Sequence, residues 1–131
     1  MAVIDASVLV AYLTGGEHAQ PARECLLTER DELWAPHLID AEVGHALRRT
    51  VSAGELRARA ARAALDDLAD LPLQRVPHRT LLARAWALRD NVSFYDGLYL
   101  ALAEALETPL ITLDARLAGA PGTRATVRVL A

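Results

Sequence analysis

Short apolar runs alternate with longer segments of helical periodicity along the chain, and this alternation restricts the possible folds more than any other feature of the sequence. The runs that predict strands are residues 2–5, 33–36, 73–76, 110–113 and 126–130. Between them, the spacing predicts helices over 7–13, 17–30, 38–53, 55–71, 80–91 and 94–107, with a short helix near 115–117. Because such alternation favours parallel strands joined by helical crossovers, we expect an α/β fold with a mainly parallel sheet.

The size of the chain indicates one domain with a substantial core. It has 131 residues, of which 53% are hydrophobic, and no internal repeat or linker interrupts it. No apolar run approaches the roughly 20 residues that span a bilayer, and no signal peptide is recognisable at the N-terminus. The single cysteine, Cys25, cannot form an internal disulfide and is expected to be buried. We therefore expect a single domain over residues 1–131, located in the cytoplasm and without a membrane partner.

All fourteen basic residues are arginine, although the formal net charge is −3. The absence of lysine excludes a Walker A loop, Schiff-base chemistry and class A β-lactamase chemistry, each of which requires that side chain. A single cysteine excludes cysteine-rich zinc sites. Arginine suits bidentate contacts with phosphate, but a GC-rich genome would produce the same composition, and both explanations stay open.

Four acidic residues lie where the predicted strands end. Asp5 follows the first strand, and Asp114 follows the strand 110–113. Glu42 is in the first turns of the helix that comes after strand 33–36, and Asp96 is at the start of the apolar helix 94–107. Because ligands of open parallel sheets bind beyond the carboxyl ends of the strands, we expect these four carboxylates to gather along one edge.

Each acid also has an ordinary structural explanation. Asp5 and Asp114 are suitable helix N-caps, Asp96 stands three residues after Ser93 as in a capping box, and a helix dipole favours Glu42 in a first turn. Four carboxylates within about 4–6 Å would nevertheless repel one another and raise their own pKa values. A divalent cation reverses that cost, and an all-oxygen site suits Mg²⁺ or Mn²⁺.

Four segments taken in order carry a resemblance to a known family. They are "VIDASVLVAYL" at the N-terminus, "PHLIDAEVGHAL" in the first third, "SFYDGLYLALAE" around residue 96 and "LITLDARL" around residue 114. In order, spacing and total length the chain resembles the PIN-domain ribonucleases, and among them the small VapC-type toxins of toxin–antitoxin pairs. The resemblance covers essentially the whole chain. It implies a single PIN domain over residues 1–131, with a PIN-like three-layer α/β/α fold and a twisted sheet of four to five strands.

The resemblance also implies a reaction, the metal-dependent hydrolysis of RNA phosphodiester bonds by an endoribonuclease that uses Mg²⁺ or Mn²⁺. Four positions match the family's acidic residues and are the expected catalytic set: Asp5, Glu42, Asp96 and Asp114. Of these, Asp5 and Asp96 are expected as the main metal ligands, and Asp114 as a ligand directly or through water. Glu42 is expected either as a ligand or as the group that orients the attacking water.

Supporting residues follow from the same match. Ser7 and Thr112 correspond to hydroxyl residues that orient a carboxylate or a metal-bound water. The family often has alanine where this chain has Gly97, which implies a slightly more flexible helix start. For the RNA phosphates, Arg116 is the best candidate, followed by Arg48 and Arg49.

The expected partners are the RNA substrate, a cognate VapB-type antitoxin and a second copy of the chain in a homodimer. The histidines show no clustering by spacing, and the few aromatic residues are expected mostly in the core. Other readings stay open: a PIN nuclease of RNA processing and a non-catalytic PIN-like interaction module. A phosphatase with an Asp-x-Asp pair is disfavoured because position 7 is Ser7, and a phospho-receiver domain is disfavoured because it needs a late lysine.

Overall fold

A computed structural model describes residues 1–29 and 32–130. In that part of the chain five strands and six α-helices alternate, and two short 3-10 helices cover Arg79–Leu81 and Ala115–Gly119. The elements follow in the order β1 (Ala2–Ile4), α1 (Ala6–Thr14), α2 (Ala19–Glu29), β2 (Leu33–Pro36), α3 (Leu38–Ser52), α4 (Ala58–Asp70), β3 (Leu73–Val76), α5 (Leu82–Ala87), α6 (Phe94–Leu106), β4 (Leu110–Thr112) and β5 (Val127–Val129).

The five strands form one sheet in the order β3-β2-β1-β4-β5, and all neighbouring pairs are parallel. The chain passes from β1 to β2 and β3 in one direction, then returns to β4 on the other side of β1. Because crossovers between parallel strands are right-handed, this reversal moves the later helices to the opposite face of the sheet. Helices α1 to α4 pack on one another, and α5 packs on α6. The predicted three-layer α/β/α fold is confirmed, with five strands and an entirely parallel sheet.

The central strand β1 is fully buried, because it is covered by helices on both faces and by neighbours on both edges. Val3 pairs with Trp34 of β2 on one side and with Leu110 of β4 on the other. Cys25 is buried within α2, as expected for a small apolar side chain. In the described residues no helix is both long enough and apolar enough to cross a membrane.

Several predicted boundaries need correction. The predicted helix 80–91 is a 3-10 turn followed by α5, which ends at Ala87, and the chain then turns over residues 88–91 before α6. The predicted helix 55–71 begins only at Ala58, because Gly54 adopts φ +77 and the next residues complete the turn. The predicted strand 126–130 is the shorter β5. The predicted end of helix 17–30, Arg30, lies outside the described residues.

One buried carboxylate ties the C-terminal segment to the helices. The Glu104 side chain in α6 is only 4% exposed and binds Arg84 of α5 at 2.6 Å. It also accepts from the Thr123 hydroxyl at 3.0 Å and from the backbone N–H of Arg124 at 2.9 Å. Burial alone would raise the pKa of Glu104, but these donors outweigh it and lower the pKa to about 2.

Candidate active site

Asp5 lies at the point where β1 ends, between β1 and β4. These two strands send their connections to opposite sides of the sheet, which makes the crevice between them the switch point where open α/β sheets bind ligands. Both carboxylate oxygens of Asp5 are held by donors. The Ser7 hydroxyl and the Ser7 backbone N–H donate to Oδ1, the latter at 3.0 Å, and the Thr112 hydroxyl donates to Oδ2.

The same network joins β4 to β1. The backbone N–H of Leu113 donates to the Ser7 hydroxyl at 3.0 Å, and that of Asp114 donates to the Thr112 hydroxyl at 2.9 Å. Burial raises the pKa of Asp5, while the hydroxyl donors act in the opposite direction. Asp5 is therefore the N-cap of α1 and also a fixed, nearly buried carboxylate. The ordinary structural explanation of Asp5, a helix N-cap, is therefore present in the fold, and its role as a metal ligand stays a prediction.

Glu42 and Asp96 are two half-buried carboxylates, on α3 and α6. Asp96 is in the first turn of α6, where its backbone N–H donates to the Ser93 hydroxyl at 3.1 Å. Burial raises the pKa of Glu42, and the charges of Asp96 and Asp5 add to that rise. Burial likewise raises the pKa of Asp96, with a contribution from the charge of Asp114. Charge repulsion therefore links Glu42 to Asp5 and Asp96, and Asp96 to Asp114, while the gathering of all four acids around one ion stays a prediction.

The Asp114 carboxylate forms an ion pair with an arginine. It caps the second 3-10 helix by accepting from the backbone N–H of Arg116 at 3.0 Å. The Arg116 guanidinium, 86% exposed, also binds both carboxylate oxygens, with Nη2 at 2.7 Å from Oδ2. These hydrogen bonds hold the pKa of Asp114 below its ordinary value. Arg116, expected as a phosphate contact, is placed by the structure on a carboxylate of the acidic edge.

The donor chemistry of this edge suits a hard divalent cation. Every candidate ligand atom is a carboxylate or hydroxyl oxygen. Three of the four carboxylates have raised pKa values, which a bound cation would lower. Beside them the buried Tyr99 hydroxyl has no hydrogen-bond partner in the described part of the chain. Among the same residues, no three Asp, Glu, His or Cys side chains lie close enough to enclose a metal ion. The residue types therefore fit Mg²⁺ or Mn²⁺, and Asp114 would have to release Arg116 to join them.

A cleft of about 460 Å³ runs from the acidic edge along α1 and α3. Ser7 and Glu42 line its inner end, Val10 lines its side, and His18 and Arg49 lie farther out. Arg48, the neighbour of Arg49, is exposed on α3 but does not line the cleft. A larger depression of about 560 Å³ lies by the residues that precede β4 and β5, at the opposite edge of the sheet from the acids, and takes no part in the site.

The histidines and aromatic residues do not all lie where the sequence suggested. His78 accepts the backbone N–H of Leu38 on Nε2 at 2.9 Å, so it caps α3 from another element. The expectation of mostly buried aromatic side chains is wrong: Trp86 and Tyr95 are each 60% exposed, and Tyr12 is also exposed. Helical periodicity alone did not reveal the exposure of Trp86, because α5 is shorter than predicted and its outer face remains uncovered.

Gly97 has a packing role that corrects the expectation of a flexible helix start. The residue is buried, and a Cβ placed on it would lie 3.1 Å from the carbonyl oxygen of Ala85 and 3.2 Å from its Cα. The glycine therefore permits α5 and α6 to approach closely, directly after Asp96. Close helix packing, rather than freedom of the backbone, accounts for this departure from alanine.

Comparison with known proteins defines the class to which this fold and acidic edge belong. The family model of the PIN domain matches residues 2–122. The crystal structure of Mycobacterium tuberculosis VapC20, described as a sarcin–ricin loop cleaving toxin, superposes with a TM-score of 0.73. It covers 95% of this chain and 99% of VapC20 at 18% identity, and it shows the shared fold. The chain belongs to the PIN-domain family.

The more similar relatives locate the chain within that family. Ribonuclease VapC1 of Mycobacterium tuberculosis is 48% identical over 129 residues, which are 98% of this chain and 96% of VapC1. VapBC-5 of the same organism, a member of the VapBC family of toxin–antitoxin systems, superposes with a TM-score of 0.61 at 28% identity. That match covers 98% of this chain and 97% of its counterpart. The branch is that of the VapC ribonuclease toxins, as the sequence motifs predicted.

Proposed function

We propose that this chain is a metal-dependent endoribonuclease whose active site is the acidic edge of the sheet. One observation carries the proposal: burial raises the pKa values of Asp5, Glu42 and Asp96 at the switch point of the sheet, and repulsion between the acids adds to the rise at Glu42 and Asp96. A protein keeps such an electrostatic cost where a function needs it. We assign Asp5 and Asp96 as the main metal ligands, with Asp114 joining directly or through water.

The protein side chains divide the work as follows. Ser7 and Thr112 fix the Asp5 carboxylate, and its Oδ2, which accepts from the Thr112 hydroxyl, keeps a lone pair for a further contact. Glu42 accepts a hydrogen bond from the attacking water and orients its oxygen toward the phosphorus, where one P–O bond forms as another breaks. Bound Mg²⁺ or Mn²⁺ would lower the pKa of that water and offset the charge that develops on the phosphate oxygens.

The RNA chain needs positive contacts, for which we propose Arg49 first. Arg49 lines the same cleft as Glu42, so a phosphate placed there lies beside the acidic edge. Arg48 is exposed next to it. Arg116 contributes to phosphate binding only after it leaves Asp114, so we rank it below Arg49.

The cleft is also the surface that we propose for the antitoxin. Val10, Ala11 and Ala46 give it an apolar wall, while Glu42 and Arg49 provide charged ends for an amphipathic segment. The similarity to VapBC-5, a member of a toxin–antitoxin family, supports this partner. An antitoxin seated there would cover Glu42 and inhibit cleavage.

Three further proposals accompany the activity. We infer that residues 1–131 form a single PIN domain, and that its RNA substrate and free Cys25 suit the cytoplasm.

For the homodimer we propose the outer face of α5, where Leu82 and Trp86 are exposed one helical turn apart. Light scattering tests the dimer: Trp86→Asp should halve the measured mass, and an unchanged mass would reject this face.

The activity itself is tested by incubating purified protein with RNA in Mg²⁺, in Mn²⁺ and in chelator. The Asp96→Asn variant and the exposed control Asp90→Asn are assayed in parallel. We expect internal cleavage of the RNA in either metal, none in chelator, and loss of activity only in Asp96→Asn. Cleavage that continues in chelator or in Asp96→Asn would reject the proposed site.

A further inference from the structure

The hydroxyl of Tyr99 is a buried polar group that the fold does not use. Tyr99 is 2% exposed, and in the described part of the chain its hydroxyl makes no hydrogen bond. Leaving such a group unpaired destabilises the fold, whereas a phenylalanine would fill the same space without that cost. The fold alone therefore gives no reason for the hydroxyl.

The position of Tyr99 on α6 supplies the reason. It stands three residues after Asp96, so both side chains lie on the same face of the helix. Burial raises the pKa of Tyr99, and the charges of Glu42, Asp5 and Asp96 raise it further. The hydroxyl is thus a neutral donor whose pKa is raised by the charges of three carboxylates.

Glu42 is the carboxylate on which this donor acts most strongly. The Tyr99 hydroxyl lies close enough to favour the charged form of Glu42, against the effects of burial and of the other acids. It does not yet complete a hydrogen bond of full geometry.

We propose that Tyr99 is a positioning residue for RNA cleavage, its hydroxyl donating to one carboxylate oxygen of Glu42 so that the other oxygen faces the attacking water. This inference rests on the proposed ribonuclease function. It assigns to α6 a second contribution besides Asp96. The half-buried Glu42 carboxylate gains a fixed orientation, and the buried hydroxyl gains the partner that it lacks.

The test compares Tyr99→Phe with the native chain and with Tyr12→Phe, which removes the hydroxyl of an exposed tyrosine on α1. Three quantities are measured on each protein: the thermal midpoint, the binding of Mn²⁺ by calorimetry without RNA, and kcat and KM for RNA cleavage in Mn²⁺. For Tyr99→Phe we expect an unchanged or higher thermal midpoint, because an unpaired buried hydroxyl has been removed.

We expect kcat of Tyr99→Phe to fall about tenfold at constant KM and with native Mn²⁺ affinity, because Tyr99 positions the carboxylate that orients the attacking water and not a metal ligand. Tyr12→Phe should match the native chain in all three quantities. Native kcat in Tyr99→Phe would overturn the assignment whatever the thermal midpoint, and so would a fall in kcat with an equal loss of Mn²⁺ affinity, which would indicate a disturbed metal site instead.

The two proposals fail separately in this experiment. If the native chain cleaves no RNA in Mn²⁺, the proposed function is rejected, and equal kcat values of a native chain that cleaves RNA and of Tyr99→Phe reject the role of Tyr99 on their own.

Discussion

Replacing Glu104 with glutamine should destabilise the protein strongly, because this carboxylate is the buried end of an ion-pair network. Its charged form binds Arg84 at 2.6 Å and accepts from Thr123 and from the backbone of Arg124. The Glu104→Gln change keeps the size of the side chain but removes the charge that these donors stabilise. It also leaves the Arg84 guanidinium facing a neutral amide.

The magnitude follows from the pKa of Glu104. A fall from 4.5 in the unfolded chain to about 2 in the fold corresponds to about 3 kcal/mol of preferential stabilisation of the carboxylate. Because the pKa is lowered on folding, this stabilisation is complete above about pH 5 and is lost as the pH falls from 4.5 towards 2. We expect a deficit of about 2–3 kcal/mol in Glu104→Gln at pH 7, and roughly half of that at pH 3.

Urea unfolding of both proteins at pH 7 and at pH 3 measures these differences. Glu55→Gln, which removes an exposed carboxylate in the turn before α4, is the matched control and should unfold like the native chain at both pH values. A loss below about 0.5 kcal/mol in the free energy of unfolding of Glu104→Gln at pH 7 would contradict this prediction. So would a deficit of equal size at pH 7 and pH 3, because the loss would then not come from the charge of Glu104.

Three further predictions concern the edge of the sheet. His78→Ala removes the acceptor at the N-terminus of α3 and should lower the free energy of unfolding by about 1 kcal/mol in urea, where no loss would contradict the cap. Arg116→Gln frees Asp114 and should tighten calorimetric Mn²⁺ binding at constant KM for RNA, whereas a raised KM with unchanged Mn²⁺ affinity would make Arg116 a phosphate contact instead. Asp96→Asn should raise the thermal midpoint in metal-free buffer at neutral pH. Folding raises the pKa of the Asp96 carboxyl, so its ionisation destabilises the folded protein as the pH rises from 3.8, and asparagine removes that cost. This gain should shrink as the pH is lowered to 3.8, and a lower midpoint at neutral pH would contradict it.

The sequence predicted the layer architecture because each buried strand is a short apolar run between helices of clear periodicity. It also predicted where Asp5 and Asp114 lie, since both follow strands that meet at the same edge. The sequence did not predict the boundaries of α5. The segment 79–91 is helical in composition, but its end depends on the turn that brings Ser93 to the start of α6.

Long-range partners were not predictable from spacing. The apolar pattern of α6 does not reveal that Glu42 and Asp5, which come from distant segments, act on the Tyr99 hydroxyl. The pairing of Arg116 with Asp114 was missed although the two residues are separated by a single position. A side chain two residues after an N-cap can turn back to that cap, and the sequence equally allowed it to point toward solvent.

The central claim is that the acidic edge binds the divalent cation on which RNA cleavage depends. Mn²⁺ should therefore be titrated into chelator-treated protein while bound Mn²⁺ and the initial rate of RNA cleavage are measured in the same samples. We expect the initial rate of RNA cleavage to rise in proportion to bound Mn²⁺. We also expect Asp96→Asn to lower both the cleavage rate and the amount of bound Mn²⁺. Cleavage at zero bound Mn²⁺, or native Mn²⁺ binding in Asp96→Asn, would contradict the central claim.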